Sequence, residues 1–199
     1  MSTVTANMSM SLDGFVNHPT DGVDTLFRWY SRGEVVTGTD GDHDWEFKTD
    51  ASEAQDLQSA KDSIGAIVYG RRSFDAAEGW HGTHPLGVPV VVLTHSAPPD
   101  WEYAGRSVHF VTEGGIAAAI ARGRELGGGR TVVIGSADLT QQALNEGLLD
   151  ELTVDLVAAM LGAGTRFFDN LKGAPYELGQ TSVRPGNGVV HLGYRVVKP

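Results

Sequence analysis

Three short polar segments, each directly after an apolar run, carry residues that could bind a phosphate. They are Gly70-Arg71-Arg72-Ser73, Thr94-His95-Ser96 and Gly135-Ser136-Ala137-Asp138. Glycine lets the backbone turn sharply and approach a ligand, and arginine pairs well with phosphate oxygens. The first N–H groups of a following helix also attract anions. These residue types predict an anion site, although the arginine pair alone would equally fit an ordinary basic turn.

The apolar runs before these segments determine where the segments lie. Residues 66–69, 89–93 and 131–134 are short and almost wholly apolar, which is typical of strands buried on both faces of a sheet. Helical patterns separate the runs, so we predict an α/β fold with a mainly parallel sheet. In such sheets ligands bind beyond the C-terminal ends of the strands. The three segments together would suit a dinucleotide that carries an additional phosphate.

The remaining segments complete a single predicted domain over residues 1–199. Further strands are expected at 3–10, 107–111 and 152–161. Residues 176–197 alternate in polarity around Pro185-Gly186-Asn187-Gly188, which predicts a C-terminal antiparallel hairpin. We expect the apolar hairpin positions to form an edge through which a homodimer could assemble. These positions are Val190, Leu192, Tyr194 and Val196.

Composition excludes several classes of function. Hydrophobic residues make up 41% of the chain and charged residues 20%, as in ordinary globular proteins. The absence of cysteine excludes disulfides, thiolate metal sites and a cysteine nucleophile. A net charge of -10 argues against a nucleic-acid partner. No signal peptide and no apolar run of ~20 residues is present, so we predict a soluble, cytoplasmic protein without a membrane partner.

Several familiar ligand motifs are missing. No G-x-G-x-x-G follows a strand, and no Gly-Lys pair exists that could form a P-loop. The acidic run that begins at Asp40 resembles a calcium loop, but Trp45 stands where such a loop needs glycine. The pair His81-x-x-His84 has no second pair beside it. We therefore predict no metal site.

Residues 17–50 differ in composition from the rest of the chain. They are rich in Gly, Asp and Thr, with aromatic residues spread among them. Such a long irregular segment is often functional, and its aromatic side chains would suit a lid over a flat ligand. Phe27 and Trp45 are our candidates for substrate contact there. The same residues could equally anchor a surface loop. A short helix is expected around 25–32, and a second helix should open with a capping box at Ser52-Glu53-Ala54-Gln55.

Six motifs, in order along nearly the whole chain, carry a resemblance to a known family. They are Ser11-Leu12-Asp13-Gly14, Tyr69-Gly70-Arg71-Arg72-Ser73-Phe74, Leu93-Thr94-His95, Ile134-Gly135, Gly147-Leu148-Leu149-Asp150-Glu151-Leu152 and Gly162-x-Gly164-x-x-Phe167-Phe168. With these motifs the chain resembles the dihydrofolate-reductase-like superfamily. It is most similar to the reductase domain of the bacterial riboflavin deaminase-reductase and its stand-alone relatives.

The resemblance implies a three-layer dihydrofolate-reductase-like fold and NADPH as cofactor. The implied cofactor-binding residues are Gly70, Arg71, Arg72, Ser73, Thr94, His95, Ser96, Ile134, Gly135, Ser136, Ala137, Asp138 and Leu139. Gly70 to Ser73 and Thr94 to Ser96 would hold phosphates, the 2′-phosphate included. Gly135 to Leu139 would lie along the pyrophosphate. The Ser-Leu-Asp-Gly turn would approach the nicotinamide and the substrate. Phe168 is a further predicted substrate contact.

Asp13 is the best-placed candidate for a catalytic acid or an orienting group, although an aspartate here could equally stabilise the turn before Gly14. The chain departs from the family pattern at Ser136, where a second glycine is usual. The Pro-Trp pair and acidic helix with which folate reductases hold a pteridine are not evident. We expect an NADPH-dependent reductase of a small heterocycle, similar to 5-amino-6-(5-phosphoribosylamino)uracil reductase. Reduction of a pteridine, or NADPH binding without turnover, remain alternatives.

Overall fold

A computed structural model describes residues 2–37, 47–101 and 107–198. The strands are β1 Val4–Ser11, β2 Phe15–Asn17, β3 Val35–Thr37, β4 Phe47–Thr49, β5 Ile64–Gly70, β6 Val90–Leu93, β7 Val108–Val111, β8 Thr131–Ile134, β9 Glu151–Val157, β10 Thr165–Arg166, β11 Leu178–Pro185 and β12 Val189–Val196. The helices are α1 Asp24–Phe27, α2 Ala51–Ser63, α3 Arg71–Ala76, α4 Gly115–Leu126 and α5 Ala137–Asn145. Two 3₁₀ turns lie at Arg28–Ser31 and Glu78–Gly82.

One large sheet organises the molecule. Its strand order is β11-β12-β9-β1-β8-β5-β6-β7. The six strands from β9 to β7 in that order pair in parallel, whereas β11 and β12 join antiparallel at one side. The predicted mainly parallel α/β sheet with a C-terminal antiparallel hairpin is therefore confirmed. Strand β9 is shorter than expected, because it ends at Val157 instead of continuing to Leu161.

Helices and turns cover both faces of the sheet, which gives three layers. On one face, Val68 and Val91 pack with Ile116 of α4 in the main apolar cluster, to which α5 also contributes. We call this the α4–α5 face. On the other face, Val90 and Val92 pack with Phe74 of α3. Adjacent residues of a strand point to opposite faces, so the fully apolar β6 serves both cores.

The hairpin β11–β12 does not offer the predicted dimer surface. Strand β12 lies between β9 and β11 and is therefore an interior strand. Its residues Leu192, Tyr194 and Val196 pack into the main core on the α4–α5 face, so that surface was predicted wrongly. The free edge of the sheet on this side is β11, which is exposed along its whole length. Assembly into a homodimer stays a prediction, without the surface first assigned to it.

Helix α2 begins with a different cap from the predicted one. Asp50 is the N-cap, and its carboxylate accepts hydrogen bonds from the backbone N–H groups of Ser52 and Glu53. The Glu53 side chain in turn accepts from the Asp50 N–H, which completes a capping box two residues earlier than expected. Among the described helices, none is long and apolar enough to cross a bilayer.

Candidate functional site

The sheet has a gap at the C-terminal edge of its parallel strands. Strand β8 ends at Ile134, which is level with Ala6 of β1 and Val68 of β5. Strand β1 continues to Ser11, pairing there with β9, and β5 continues to Gly70, pairing with β6. In the described part of the chain, no strand lies between β1 and β5 beyond Ile134. We call this opening the sheet gap, and it is where a ligand can enter the plane of the sheet.

The three predicted polar segments meet on one side of the sheet gap. The Gly70 N–H donates a hydrogen bond of 3.3 Å to Ser136 Oγ, which joins the ends of β5 and β8. Arg71 Nη1 donates to the Ser96 carbonyl at 3.2 Å, which joins the ends of β5 and β6. The convergence of these segments at one edge of the sheet is therefore confirmed, while their binding of a cofactor stays a prediction.

The two adjacent arginines have different roles in this structure. Arg71 also pairs with Asp75 through a 2.7 Å contact, so its guanidinium fastens α3 to the end of β6. Arg72 is exposed and, among the described residues, has no hydrogen-bond or ion-pair partner. Thr94 donates its hydroxyl hydrogen to the Ser96 carbonyl within its own turn. Within the described ranges, Arg72 is thus a cation that is available to a ligand at this edge.

Helix α5 starts beside the sheet gap without a side-chain cap. Its N-cap is Ser136, whose hydroxyl is buried and accepts from Gly70 instead of from its own helix. Thr140 is the first residue of the helix whose N–H reaches the Ser136 carbonyl. The first-turn N–H groups of Ala137, Asp138 and Leu139 therefore have no partner within the helix. Such a helix start favours an anion.

On the face opposite α4 and α5, a group of buried and half-buried polar side chains lies beside the gap. Asp155 of β9 is 8% exposed, and its Oδ1 lies 2.7 Å from His191 Nδ1 on β12. Asn7 of β1 donates from Nδ2 to Thr153 Oγ1 at 2.9 Å. Ser9, also on β1, is the direct neighbour of Asp155 across the β1–β9 pair. We call these five residues the polar floor.

A second buried carboxylate reaches the polar floor from α2. Glu53 is 4% exposed, and its Oε1 accepts from the Asn187 N–H at 2.8 Å. The same oxygen lies 3.9 Å from His191 Nε2, so the imidazole lies between two carboxylates. Burying two carboxylates is costly for stability, so their concentration beside the sheet gap marks a candidate functional site. In the described ranges, no three His, Asp or Glu side chains converge in a way that could hold a metal.

Aromatic residues of the 3₁₀ turn cover the polar floor. Trp29 donates from Nε1 to Ser9 Oγ at 3.3 Å, and its ring centroid is 5.2 Å from that of His191. Tyr30 stacks on Trp29 with centroids 3.8 Å apart. Burial raises the pKa of Tyr30 well above its ordinary value, and the charge of Asp155 raises it further. Tyr30 is therefore a neutral phenol at the border of the floor.

Two of the predicted substrate residues belong to the 17–50 segment. Phe27 packs edge-on against Tyr30 with centroids 5.5 Å apart, so it supports the aromatic cover from behind. The predicted short helix near 25–32 is observed as α1 and the following 3₁₀ turn. Trp45 lies outside the described residues.

Asp13 sits in the turn after β1 as a fully engaged carboxylate. It accepts hydrogen bonds from Ser11 Oγ at 2.6 Å, from Leu161 N–H at 3.0 Å and from Gly162 N–H at 2.7 Å. The Ser11 bond is the main reason that the Asp13 pKa falls to about 2, and the two backbone bonds add to it. At this pKa the carboxyl group is ionised at neutral pH, which disfavours it as a proton donor. The geometry suits an orienting or turn-stabilising group, and a catalytic role for Asp13 stays a prediction.

Phe168 lies away from the sheet gap. Its ring stacks on Phe167 with centroids 4.4 Å apart and lines an apolar pocket of about 180 Å³ with Leu144 and Leu152. Leu144 is near the end of α5 and Leu152 near the start of β9. Both positions belong to the opposite edge of the sheet, so Phe168 is not part of the candidate site.

Sequence reasoning missed the polar floor. Its contacts join residues far apart in the chain, such as Asn7 with Thr153 and Asp155 with His191. One signal was available: Asp155 interrupts the apolar run from Leu152 to Val157, and a lone carboxylate in a buried strand needs a partner. The partner itself could not be read from the sequence, because it depends on the register of β9 and β12.

Comparison with known proteins agrees with this architecture. The family model for the RibD C-terminal domain matches residues 2–191. A protein of Shewanella sp. PV-4 named for riboflavin biosynthesis superposes with a TM-score of 0.73 at 18% identity, over 98% of this chain and 99% of that chain. Dihydrofolate reductase from Enterococcus faecalis, complexed with NADP(H), gives 0.54 at 17% identity over 98% and 97%.

A third solved structure comes from a larger protein. It is the diaminohydroxyphosphoribosylaminopyrimidine deaminase/5-amino-6-(5-phosphoribosylamino)uracil reductase of Thermotoga maritima, with a TM-score of 0.60 at 13% identity. The match covers 98% of this chain but 57% of that one. No curated protein sequence matches significantly. At these identities the structures establish the dihydrofolate-reductase-like fold, and the family match establishes membership: the chain belongs to the RibD C-terminal domain family.

Proposed function

We propose that this protein is an NADPH-dependent reductase of a small nitrogen heterocycle, similar to 5-amino-6-(5-phosphoribosylamino)uracil reductase. The observation that carries the proposal is the sheet gap beyond Ile134. The start of α5 follows β8 and the exposed Arg72 follows β5, whereas the polar floor lies on β1, β9 and β12. A flat ring in the gap would meet both.

The residues at the starts of α3 and α5 fit a phosphorylated dinucleotide. The uncapped start of α5 offers backbone N–H groups to the pyrophosphate. Arg72 is exposed and unpaired within the described part of the chain, so it can meet a terminal phosphate such as the 2′-phosphate. Ser136 does not obstruct this side, because its hydroxyl turns inward to Gly70. Bound NADPH would supply a hydride there.

The polar floor supplies the specificity for the other reactant. Asp155 is a carboxylate acceptor for N–H groups, and His191 holds it in place through the 2.7 Å hydrogen bond. Asn7 and Ser9 add an amide and a hydroxyl on the same face of β1. These groups match the ring nitrogens and amino groups of an aminopyrimidine. The aromatic cover of Trp29 and Tyr30 would exclude water from the reacting atoms.

A pteridine is the second candidate substrate. The polar floor carries the Asp155 carboxylate, and Glu53 of α2 lies beside it. Two carboxylates would repel a phosphate and favour an uncharged, amino-bearing ring. A phosphoribosyl substrate would depend on more distant cations such as Arg28 and Arg32. Arg32 packs against Gly188 at the hairpin turn, near the border of the floor.

The test is substrate-dependent oxidation of NADPH by the purified protein. The panel contains 5-amino-6-(5-phosphoribosylamino)uracil, 7,8-dihydrofolate and the unphosphorylated ribosylaminouracil. Turnover of the uracil compounds supports the proposal, and turnover of dihydrofolate alone favours the pteridine. NADPH binding with no turnover of any compound leaves a nucleotide-binding protein without catalysis and contradicts the proposal.

A further inference from the structure

The residue that borders the sheet gap on the β5 side is Tyr69. A Cβ added at Gly135 would overlap the Tyr69 ring, so the ring lies directly over the residue that follows β8. Its hydroxyl-bearing end is next to Gly135, at the base of the gap. Tyr69 belongs to the same face as the polar floor, since Ile67 packs on that face with Val133 of β8. The phenol therefore borders the site from β5, across the gap from Ser9 of β1 and Asp155 of β9.

His84 sets the direction of the Tyr69 hydroxyl hydrogen. The Leu86 N–H donates to His84 Nδ1 at 3.2 Å, so in the neutral imidazole the hydrogen resides on Nε2. His84 Nε2 lies 3.4 Å from the Tyr69 hydroxyl oxygen and must act as the donor in that contact. The hydroxyl oxygen thus accepts from His84. Its own hydrogen is left for another acceptor, and no described residue provides one.

A left-handed turn holds this arrangement together. Glu78, Trp80 and His81 have φ values of 47°, 50° and 46°, with Gly79 between them at 59°. Non-glycine residues rarely adopt this conformation, and such strain concentrates at functional sites. The turn buries Trp80 against Tyr69, with ring centroids 4.8 Å apart. The strained backbone therefore serves to fix the position of the Tyr69 ring.

Tyr30, at the border of the polar floor, lies within electrostatic reach of Tyr69. The two phenols interact electrostatically, and Tyr30 also hydrogen-bonds Ser9. Burial raises the pKa of Tyr69 to about 12, so it too remains protonated at neutral pH. A heterocycle between the two rings would meet one neutral hydroxyl whose hydrogen has no acceptor in the described protein.

We propose that Tyr69 is the proton donor of the reduction and that His84 is its positioning residue. Addition of a hydride to a ring carbon leaves an electron pair on the neighbouring heteroatom. That atom takes the Tyr69 hydroxyl proton, forming the new N–H or O–H bond as the phenol O–H bond breaks. The phenolate left behind is stabilised by the His84 Nε2–H and regains a proton from water. This inference rests on the proposed reductase function.

Kinetics of Tyr69→Phe test the donor role. A positioned proton donor contributes about 10²- to 10⁴-fold to rate, so kcat should fall at least about 100-fold on the compound that the native protein reduces. KM and the NADPH dissociation constant should change little. Tyr194→Phe is the matched control and should retain native kcat. Native-like kcat in Tyr69→Phe overturns the inference while leaving the reductase function intact, whereas absence of turnover in the native protein contradicts the reductase function itself.

Two measurements separate positioning by His84 from a merely structural role. Nitrogen-15 NMR of the cofactor-free protein should find the His84 hydrogen on Nε2, and a hydrogen on Nδ1 overturns the inference without reference to activity. His84→Gln keeps a side-chain N–H and should retain much more kcat than His84→Ala. Equal kcat in the two variants would overturn the positioning role.

Discussion

Asp155 and His191 face each other across the β9–β12 pair and join through a 2.7 Å contact between Oδ1 and Nδ1. Neither is far from water, with side chains 12% and 15% exposed, yet Trp29 packs on the same face with Val157 of β9. A hydrogen-bonded Asp–His pair contributes little to fold stability in such a place compared with apolar residues. We interpret the pair as part of the substrate site.

Breaking this pair should destabilise the protein. His191→Leu leaves the Asp155 carboxylate buried with a weak 3.4 Å contact from Asn7, and the free energy of unfolding should fall by roughly 3 kcal/mol. The double variant Asp155→Asn/His191→Leu should recover part of that loss, because no unpaired charge remains. Urea denaturation of the two single variants and the double variant measures the effect. Strict additivity of the two single changes would contradict a coupled pair.

The different surroundings of the two arginines predict different cofactor effects. Arg72→Ala should weaken NADPH binding about 10- to 100-fold, because a charge-assisted bond to the additional phosphate is lost. The affinity for NADH should change very little. Arg71→Ala should weaken both cofactors, since its bonds to Asp75 and Ser96 hold the edge together. Isothermal titration of both variants with both cofactors measures this. The idea fails if Arg72→Ala reduces NADH binding as strongly as NADPH binding.

The lowered pKa of Asp13 predicts that the stability of the protein changes at acid pH. Its pKa is about 2 in the folded protein and 3.8 without these contacts, so folding favours the ionised form. The contribution of Asp13 is fully present above about pH 4 and is lost as the pH falls from there towards 2. The Asp13→Asn variant should therefore lose part of its stability at pH 5 and differ less from the native protein near pH 2. Urea midpoints across this range provide the measurement, and an equal difference at all pH values would exclude this assignment.

The Tyr69 ring leaves no space for a side chain at Gly135. Gly135→Ala should cost about 1–3 kcal/mol of stability, because the added methyl group overlaps the ring and displaces it. Gly179→Ala is a suitable control, since a Cβ there meets nothing closer than the Arg195 carbonyl at 4.0 Å. Thermal unfolding of both variants checks the prediction. A neutral effect of Gly135→Ala would mean that Tyr69 is not held where the structure places it.

The convergence of the polar segments at the sheet edge was predictable from the sequence because its signals are local. A buried strand, a glycine and a helix start follow one another within about ten residues at Gly70 and again at Gly135. The gap was not predictable, since it arises from the ending of β8 at Ile134 relative to β1 and β5. The different contacts of Arg71, which is paired, and Arg72, which is exposed, also depend on the three-dimensional structure. The family resemblance identified the fold, but the substrate side depends on long-range pairs such as Glu53 with Asn187.

The most direct test of the account is an NMR titration of the protein with NADPH, following assigned backbone amides. Binding in the sheet gap should shift the amides of Ala137–Leu139 and Gly70–Arg72 first. The chemical shifts of the Leu144 and Phe168 amides, in the apolar pocket at the opposite edge, should not change. Shifts confined to that pocket, or no shifts at millimolar NADPH, would contradict the assignment of the sheet gap as the cofactor site.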